Sequence, residues 1–141
     1  MLIGEFYHNI DVKGRVIIPA KFREDLGDSF VVSKGLNNCI NIYSALEWES
    51  FRDELLALRT ADARKLRHFF FSSAAQVESD AQGRILIPPT FREYAGLSKD
   101  LAIIGVSNHA EIWDKQRWND YMSDDFFNEE EISKAMENLG F

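Results

Sequence analysis

The stretch DVKGRVIIPAKFRE at residues 11–24 returns as DAQGRILIPPTFRE at residues 80–93. Eight of the 14 aligned positions are identical at an offset of 69 residues, whereas unrelated segments of average composition would share about one. With a shift of one residue, the correspondence extends to further pairs of positions: Gly35 with Gly105, Ile42 with Ile112, Tyr43 with Trp113 and Trp48 with Trp118. The chain therefore contains two copies of one structural unit.

Each copy contains a turn whose residue types are informative. Asp11 and Asp80 stand at the first position, where a carboxylate can accept backbone N–H bonds inside the turn, and Gly14 and Gly83 stand at the fourth, where positive φ is tolerated. We therefore expect these four residues to structure the turns. The pattern is typical of a β-hairpin closed by a type I turn with a bulge.

The residues around each turn predict the same succession of elements in both copies. A short extended segment precedes the turn, and a β-branched run follows it, which we interpret as a strand buried on both faces. A short helix begins at Pro19 or Pro88 and ends at Gly27 or Gly96. Two further strands complete each copy, at residues 29–33 and 40–43 in the first and at residues 101–106 and 111–113 in the second.

Four short strands would leave each half with open sheet edges and little buried area. We therefore expect an α+β fold with a mainly β core, in which the halves close on each other as a pseudo-two-fold, double-split (swapped-hairpin) β-barrel with flanking helices. The predicted organisation is copy 1 at residues 5–47, connecting helices at 48–74, copy 2 at 75–119, and an acidic C-terminal helix or tail at 120–141.

The charge distribution is uneven along the 141 residues. The formal net charge is -7, which by itself argues against nucleic-acid binding, because a basic surface is the usual electrostatic signature. Residues 111–141, however, hold nine acidic and three basic residues and so contribute -6 of the total. The remaining 110 residues are together close to neutral, so part of their surface can still be basic.

Several classes of protein find no support in the sequence. No apolar run is long enough for a transmembrane helix, and the first residues lack the pattern of a signal peptide, so we expect a cytoplasmic protein. Cys39 has no cysteine partner, and His8, His68 and His109 are scattered, so neither a disulfide nor a metal site is predicted. Without a phosphate-binding loop or a nucleophile motif, we expect no cofactor, no small-molecule substrate and no enzyme activity.

The paired Asp-x-x-x-Arg motifs at residues 11–15 and 80–84, each followed by an apolar strand, an Ile-Pro and a Phe-Arg-Glu, resemble those of the bacterial MraZ family. So does the opening GEFYH at residues 4–8. The resemblance implies two units related to the AbrB and MazE DNA-binding domains. It further implies a nucleoid-associated, cyclic homo-oligomer that binds short direct repeats in double-stranded DNA upstream of its own operon, the division and cell wall gene cluster, as a transcriptional regulator, usually a repressor.

In that family, the Asp-x-x-x-Arg segments form the surface that contacts DNA. Carried onto this sequence, the resemblance implies a DNA-contacting surface formed by Asp11, Lys13 and Arg15 in copy 1 and by Asp80 and Arg84 in copy 2. Gln82, which stands in copy 2 where copy 1 has Lys13, is a further candidate for DNA binding. Arginine can bind phosphate oxygens or the O6 and N7 edge of guanine bidentately, whereas lysine suits the phosphate backbone. Copy 1 is the more basic of the two, so we expect it to be the main reader of the DNA sequence.

Some positions keep a second interpretation. Arg23 and Arg92 are expected to form ion pairs with Glu24 and Glu93 or with another subunit. The acidic C-terminal segment is either a helix that packs on a neighbouring subunit or a solvated tail. For the whole chain, the alternative function is an antitoxin-like module whose C-terminal segment occupies a toxin.

Overall fold

The computed structural model describes residues 1–141 and contains eight strands and six helices. The strands are β1 (Leu2–Asn9), β2 (Arg15–Ile17), β3 (Ser29–Lys34), β4 (Ile40–Ser44), β5 (Ala75–Glu78), β6 (Arg84–Leu86), β7 (Asp100–Ser107) and β8 (Ala110–Asp114). The helices are α1 (Ala20–Leu26), α2 (Ala45–Ala57), α3 (Asp62–Ser73), α4 (Pro89–Ala95), α5 (Lys115–Met122) and α6 (Glu129–Asn138). Short 3-10 turns lie at Leu36–Asn38 and Asp125–Phe127.

The strands of the two copies exchange partners. Six of them form one antiparallel sheet in the order β1-β7-β8-β4-β3-β5. The strand before the first turn, β1, pairs with β7 of copy 2, and the strand before the second turn, β5, pairs with β3 of copy 1. The two arms that meet at each turn therefore separate into different sheets, and the predicted simple hairpins are wrong beyond the turns themselves.

The strands that follow the turns form a second, two-stranded sheet, the β2–β6 ribbon. Its antiparallel register is centred on Val16 opposite Ile85, which are equivalent positions of the two copies. Two backbone bonds extend it symmetrically, from Ile18 N to Gly83 O at 3.0 Å and from Ile87 N to Gly14 O at 2.9 Å. The ribbon thus joins the turn of each copy to the strand of the other.

The main core lies between the large sheet and the layer formed by the ribbon, α1 and α4. The ribbon and the two helices contribute Val16, Ile18, Phe22, Leu26, Ile85, Ile87, Phe91 and Ala95, and the sheet contributes alternate residues such as Ile40, Ile42, Leu101, Ile103 and Ile112. The other face of the sheet is covered by α2, α3 and α5, where a smaller cluster includes Trp113 and Trp118. The sheet is therefore the middle of three layers.

The ribbon strands alternate instead of being buried on both faces. Val16 and Ile85 are buried, while Ile17 and Leu86 are 44% and 55% exposed. The expectation that these strands are buried on both faces is wrong, because the large sheet covers only the inner face of the ribbon, across the main core. Its outer face carries Arg15, Ile17, Arg84 and Leu86.

The architecture is mixed α+β with a mainly antiparallel sheet. The large sheet ends at β1 on one side and β5 on the other, and no backbone pairing joins it to the ribbon strands. The closed swapped-hairpin barrel is accordingly not confirmed. The exchange of strands between the copies is nonetheless extensive, because β4 also pairs with β8.

The helices after each copy differ in how they pack. Helices α2 and α3 lie between the strands of the two copies and place Leu55, Ala63 and Phe70 in the interior. Helix α6, in contrast, has no buried residue, and Ile132, Met136 and Leu139 are exposed on it or at its end. None of the helices has both the length and the apolar character that crossing a membrane requires.

The pairing of β1 with β7 depends on Gly105. A Cβ atom at this position would lie 2.5 Å from both the Ile3 nitrogen and the Leu2 carbonyl carbon. Both atoms belong to the backbone, so no side-chain movement could relieve the overlap. Gly105 therefore sets how closely the two copies approach along this edge.

We expect Gly105→Ala to destabilise the protein by about 1–3 kcal/mol or more, because the overlap forces β1 away from β7. Thermal unfolding followed by circular dichroism should show a decrease in Tm of several degrees. Val106→Ala, one residue further along the same strand at an exposed position, is the matched control and should change stability by about 0.5 kcal/mol or less. An equal decrease in the two variants would contradict the proposed steric role of Gly105.

Candidate nucleic-acid interface

The first turn (residues 11–15, turn 1) is organised by one carboxylate. Asp11 Oδ1 accepts the backbone N–H of Lys13 at 3.0 Å and of Arg15 at 2.8 Å. Its Oδ2 accepts Arg15 Nε at 2.7 Å. Backbone bonds from Asp11 N to Arg15 O and from Gly14 N to Asp11 O close the turn. Asp11 thereby fixes both the backbone of the turn and the direction of the arginine.

The second turn (residues 80–84, turn 2) has the same geometry. Asp80 Oδ1 accepts the backbone N–H of Gln82 and of Arg84, each at 2.9 Å, and Oδ2 accepts Arg84 Nε at 2.9 Å. Gly14 and Gly83 have φ values of 85° and 77°, a conformation that glycine adopts readily. The two copies of the sequence motif therefore form the same hydrogen bonds.

The hydrogen bonds also determine the charge of both carboxyl groups. Backbone donation from Arg15 is the largest cause that lowers the pKa of Asp11 below its ordinary value of 3.8, and Arg84 does the same for Asp80. Both groups are therefore ionised at neutral pH. Each pairs with its arginine as a carboxylate, so Arg15 and Arg84 are charge-compensated within their own turns.

The ion pairs leave part of each arginine available. Asp11 and Asp80 engage only Nε, and the terminal Nη atoms of Arg15 and Arg84 have no hydrogen-bond partner in the chain. The side chains of Arg15 and Arg84 are 32% and 29% exposed. An arginine held by Nε and free at its two terminal nitrogens can present a fixed fork to a planar acceptor.

The other predicted contact residues lie at the outside of the turns. Lys13 and Gln82 occupy equivalent exposed positions, and neither side chain forms a hydrogen bond or an ion pair within the chain. Two residues that were not predicted, Ile17 and Leu86, lie beside the arginines on the exposed face of the ribbon. Residues two apart in a strand share a face, so the position of each one two residues after an arginine is the signal in the sequence that could have identified it.

Arg23 and Arg92 do not form the expected ion pairs with Glu24 and Glu93. The chain contains seven salt bridges within 4.0 Å, and none involves either arginine. Each guanidinium instead lies against the turn of the opposite copy, Arg92 at Gly14 and Arg23 at Gly83. Helices α1 and α4 carry these side chains away from their neighbouring glutamates and over the turns.

A second polar cluster lies on the opposite face of the sheet. Glu111 accepts Trp113 Nε1 at 2.9 Å and lies 3.1 Å from His109 Nε2, near the buried Cys39. Burial alone would raise the pKa of Glu111, but hydrogen bonds from His109 and Trp113 outweigh it and lower that pKa. Glu111 is thus paired within the chain, and the cluster contributes to the packing of the sheet against α2 and α5.

The chain is similar to proteins of one family along its whole length. The matching family model is described as "MraZ protein, putative antitoxin-like", and it matches twice, at residues 1–69 and 70–139. A transcriptional regulator MraZ of Acetivibrio thermocellus is 51% identical over 142 residues, covering 99% of each chain. The regulator of the same name from Caldicellulosiruptor saccharolyticus is 49% identical over 142 residues, again covering 99% of each chain.

The chain also shows a weak likeness to the solution structure of PHS018 from Pyrococcus horikoshii, with a TM-score of 0.33 and 15% sequence identity. The match covers 79% of this chain and 88% of that one. The names of the relatives describe regulation, in agreement with the expectation that the chain is not an enzyme. The two family-model matches and the full-length identities lead to one conclusion: the chain belongs to the MraZ family.

Proposed function

We propose that this protein is a transcriptional regulator that binds double-stranded DNA through its two turns and the outer face of the β2–β6 ribbon. The observation that carries the proposal is the pair of equivalent arginines, Arg15 and Arg84, each held at Nε by its own aspartate and free at Nη. The names of the relatives support the regulatory role.

The ribbon supplies the geometry for reading bases. A two-stranded β-ribbon fits the major groove of B-form DNA, and arginine there binds the O6 and N7 atoms of guanine. In the ribbon, Arg15 lies opposite Leu86, and Arg84 lies opposite Ile17. We assign guanine contacts to the arginines and contacts with thymine methyl groups to the two apolar side chains. Lys13 suits a phosphate, which positions the protein without specifying sequence.

We also propose the oligomeric assembly and the DNA target that the family resemblance implies. One chain offers few cations to DNA, so several tethered copies of the turns would be needed for tight binding. A cyclic homo-oligomer with head-to-tail contacts repeats the turns in one direction, which suits short direct repeats. We propose that these repeats lie upstream of the protein's own operon, the division and cell wall gene cluster, and that binding in the nucleoid represses it.

The antitoxin-like alternative is favoured by one observation, the acidic helix α6 with the exposed apolar residues Ile132, Met136 and Leu139. Against it stands the doubled Asp–Arg turn, for which toxin binding gives no reason. Affinity purification of the protein from its own cells distinguishes the two functions. A stoichiometric small toxin partner would support the alternative, and its absence together with DNA binding would support regulation.

We expect Arg15→Ala to weaken binding to the DNA upstream of the protein's own gene and to reduce the preference for that DNA over a scrambled duplex. One bidentate arginine–guanine contact discriminates by about 1–3 kcal/mol, or roughly 5- to 150-fold. Fluorescence anisotropy over a range of salt concentrations measures both quantities. Two results would refute the proposed function. One is wild-type binding whose affinity does not change with salt concentration, and the other is an Arg15→Ala variant that keeps full affinity and full preference for the upstream DNA.

We expect a reciprocal pair of variants to separate the roles of the two turns. Lys13→Gln makes turn 1 resemble turn 2, and Gln82→Lys does the opposite. If Lys13 binds phosphate, Lys13→Gln lowers affinity equally on the upstream and scrambled duplexes and reduces the slope of log K against log salt by about 0.9 for each phosphate that is no longer neutralised. Gln82→Lys should increase that slope. A change in sequence preference in Lys13→Gln would assign Lys13 to a base instead.

A further inference from the structure

Arg23 and Arg92 occupy equivalent positions in the two copies, and each crosses to the turn of the other copy. A Cβ atom built on Gly14 would lie 2.9 Å from Arg92 Cζ and 3.0 Å from its Nη1. A Cβ atom built on Gly83 would overlap the guanidinium of Arg23 in the same way. Glycine at these positions therefore allows the positive φ and also provides the space in which a guanidinium lies against the turn.

The charge of these two arginines is not compensated within the chain. Arg15 and Arg84 have carboxylate partners, but no acidic group lies within 4.0 Å of Arg23 or Arg92. The Nε atoms of both are buried without a hydrogen-bond partner. Their Nη atoms also lack hydrogen-bond partners within the chain but keep some exposure to solvent beside the turns.

This arrangement is unfavourable for the free protein. A buried donor without a partner destabilises the folded chain, and does so more strongly when it carries charge. A role in packing alone would be served by an apolar side chain of similar length, without that cost. The free Nη atoms at the surface of the turns are suited to an anion that approaches from outside.

We propose that Arg92 and Arg23 each bind a DNA phosphate, Arg92 next to turn 1 and Arg23 next to turn 2. The inference rests on the proposed function and adds to it a second pair of contact residues outside the Asp-x-x-x-Arg motifs. Each DNA-binding turn is then built from both copies, with the base-reading arginine from one copy and the phosphate-binding arginine from the other. Arg23 supplies turn 2 with the free cation that Gln82 does not.

The test uses Arg23→Met and Arg92→Met in the full-length protein, since methionine keeps much of the apolar length and removes the charge. Arg64→Met is the control, because Arg64 is exposed on α3, forms no ion pair, and its substitution changes the net charge by the same amount. Each variant is titrated by anisotropy with the duplex upstream of the protein's own gene and with a scrambled duplex. The titrations run from about 50 to about 300 mM salt, a range over which the screening of charges changes substantially.

We expect each Arg→Met change at 23 or 92 to reduce the salt slope by about 0.9 per turn engaged and to weaken binding to both duplexes about fivefold at about 0.15 M salt. The ratio of the two affinities should stay constant, because phosphate contacts carry no sequence information. Arg64→Met should match the wild type. Arg23→Lys and Arg92→Lys keep the charge and should preserve the slope.

The outcomes separate this inference from the proposed function. If wild-type protein binds neither duplex, the proposed function fails. If the wild type binds and the methionine variants keep its affinity and salt slope, the function stands and the role of Arg23 and Arg92 is refuted. If the methionine variants are unfolded by circular dichroism, the lysine variants decide, since folded lysine variants with a reduced slope would also refute it.

Discussion

The antiparallel pairing of β2 with β6 is the interaction on which the rest of the molecule depends. Its central pair, Val16 and Ile85, relates the two copies by an approximate two-fold axis. On either side of that pair, the bonds from Ile18 and Ile87 to the turn glycines of the opposite copy extend the ribbon. Removing one copy would leave these backbone groups without partners and would expose one face of the main core, so neither copy can fold as it does here alone.

This pairing also explains why the candidate site is so regular. Because each turn ends where a ribbon strand begins, rotation of one turn is opposed by the backbone bonds that its glycine carbonyl accepts from the other copy. Asp11 and Asp80 then fix the arginine side chains within each turn. A binding surface whose side chains are already oriented loses less conformational entropy when it meets its partner. The symmetry of the fold thus becomes pre-organisation of the proposed contacts.

The sequence predicted the local features well, because they depend on nearby residues. Turn chemistry alone suggests that Asp11 accepts backbone N–H bonds inside the turn, and in the structure the donors are Lys13 and Arg15. The exposure of Ile17 was missed because a run of β-branched residues does not reveal how many layers cover it. The position of Arg92 over Gly14 was missed for a related reason: the contact joins residues 78 positions apart and depends on the crossing of the two copies.

The net charge of -7 illustrates why a total is a poor guide to a surface. Much of the negative charge lies on residues 111–141, and α5 packs through Trp118 on the face of the sheet opposite the main core and the ribbon. At the turns, Asp11 and Asp80 pair with Arg15 and Arg84, whereas Lys13, Arg23 and Arg92 form no ion pair within the chain. Exposed charges separated by more than about 8 Å are largely screened at physiological salt. Acidic residues farther than that from the turns therefore contribute little to the field there, so a protein with a net negative charge can carry the basic surface that we propose for DNA binding.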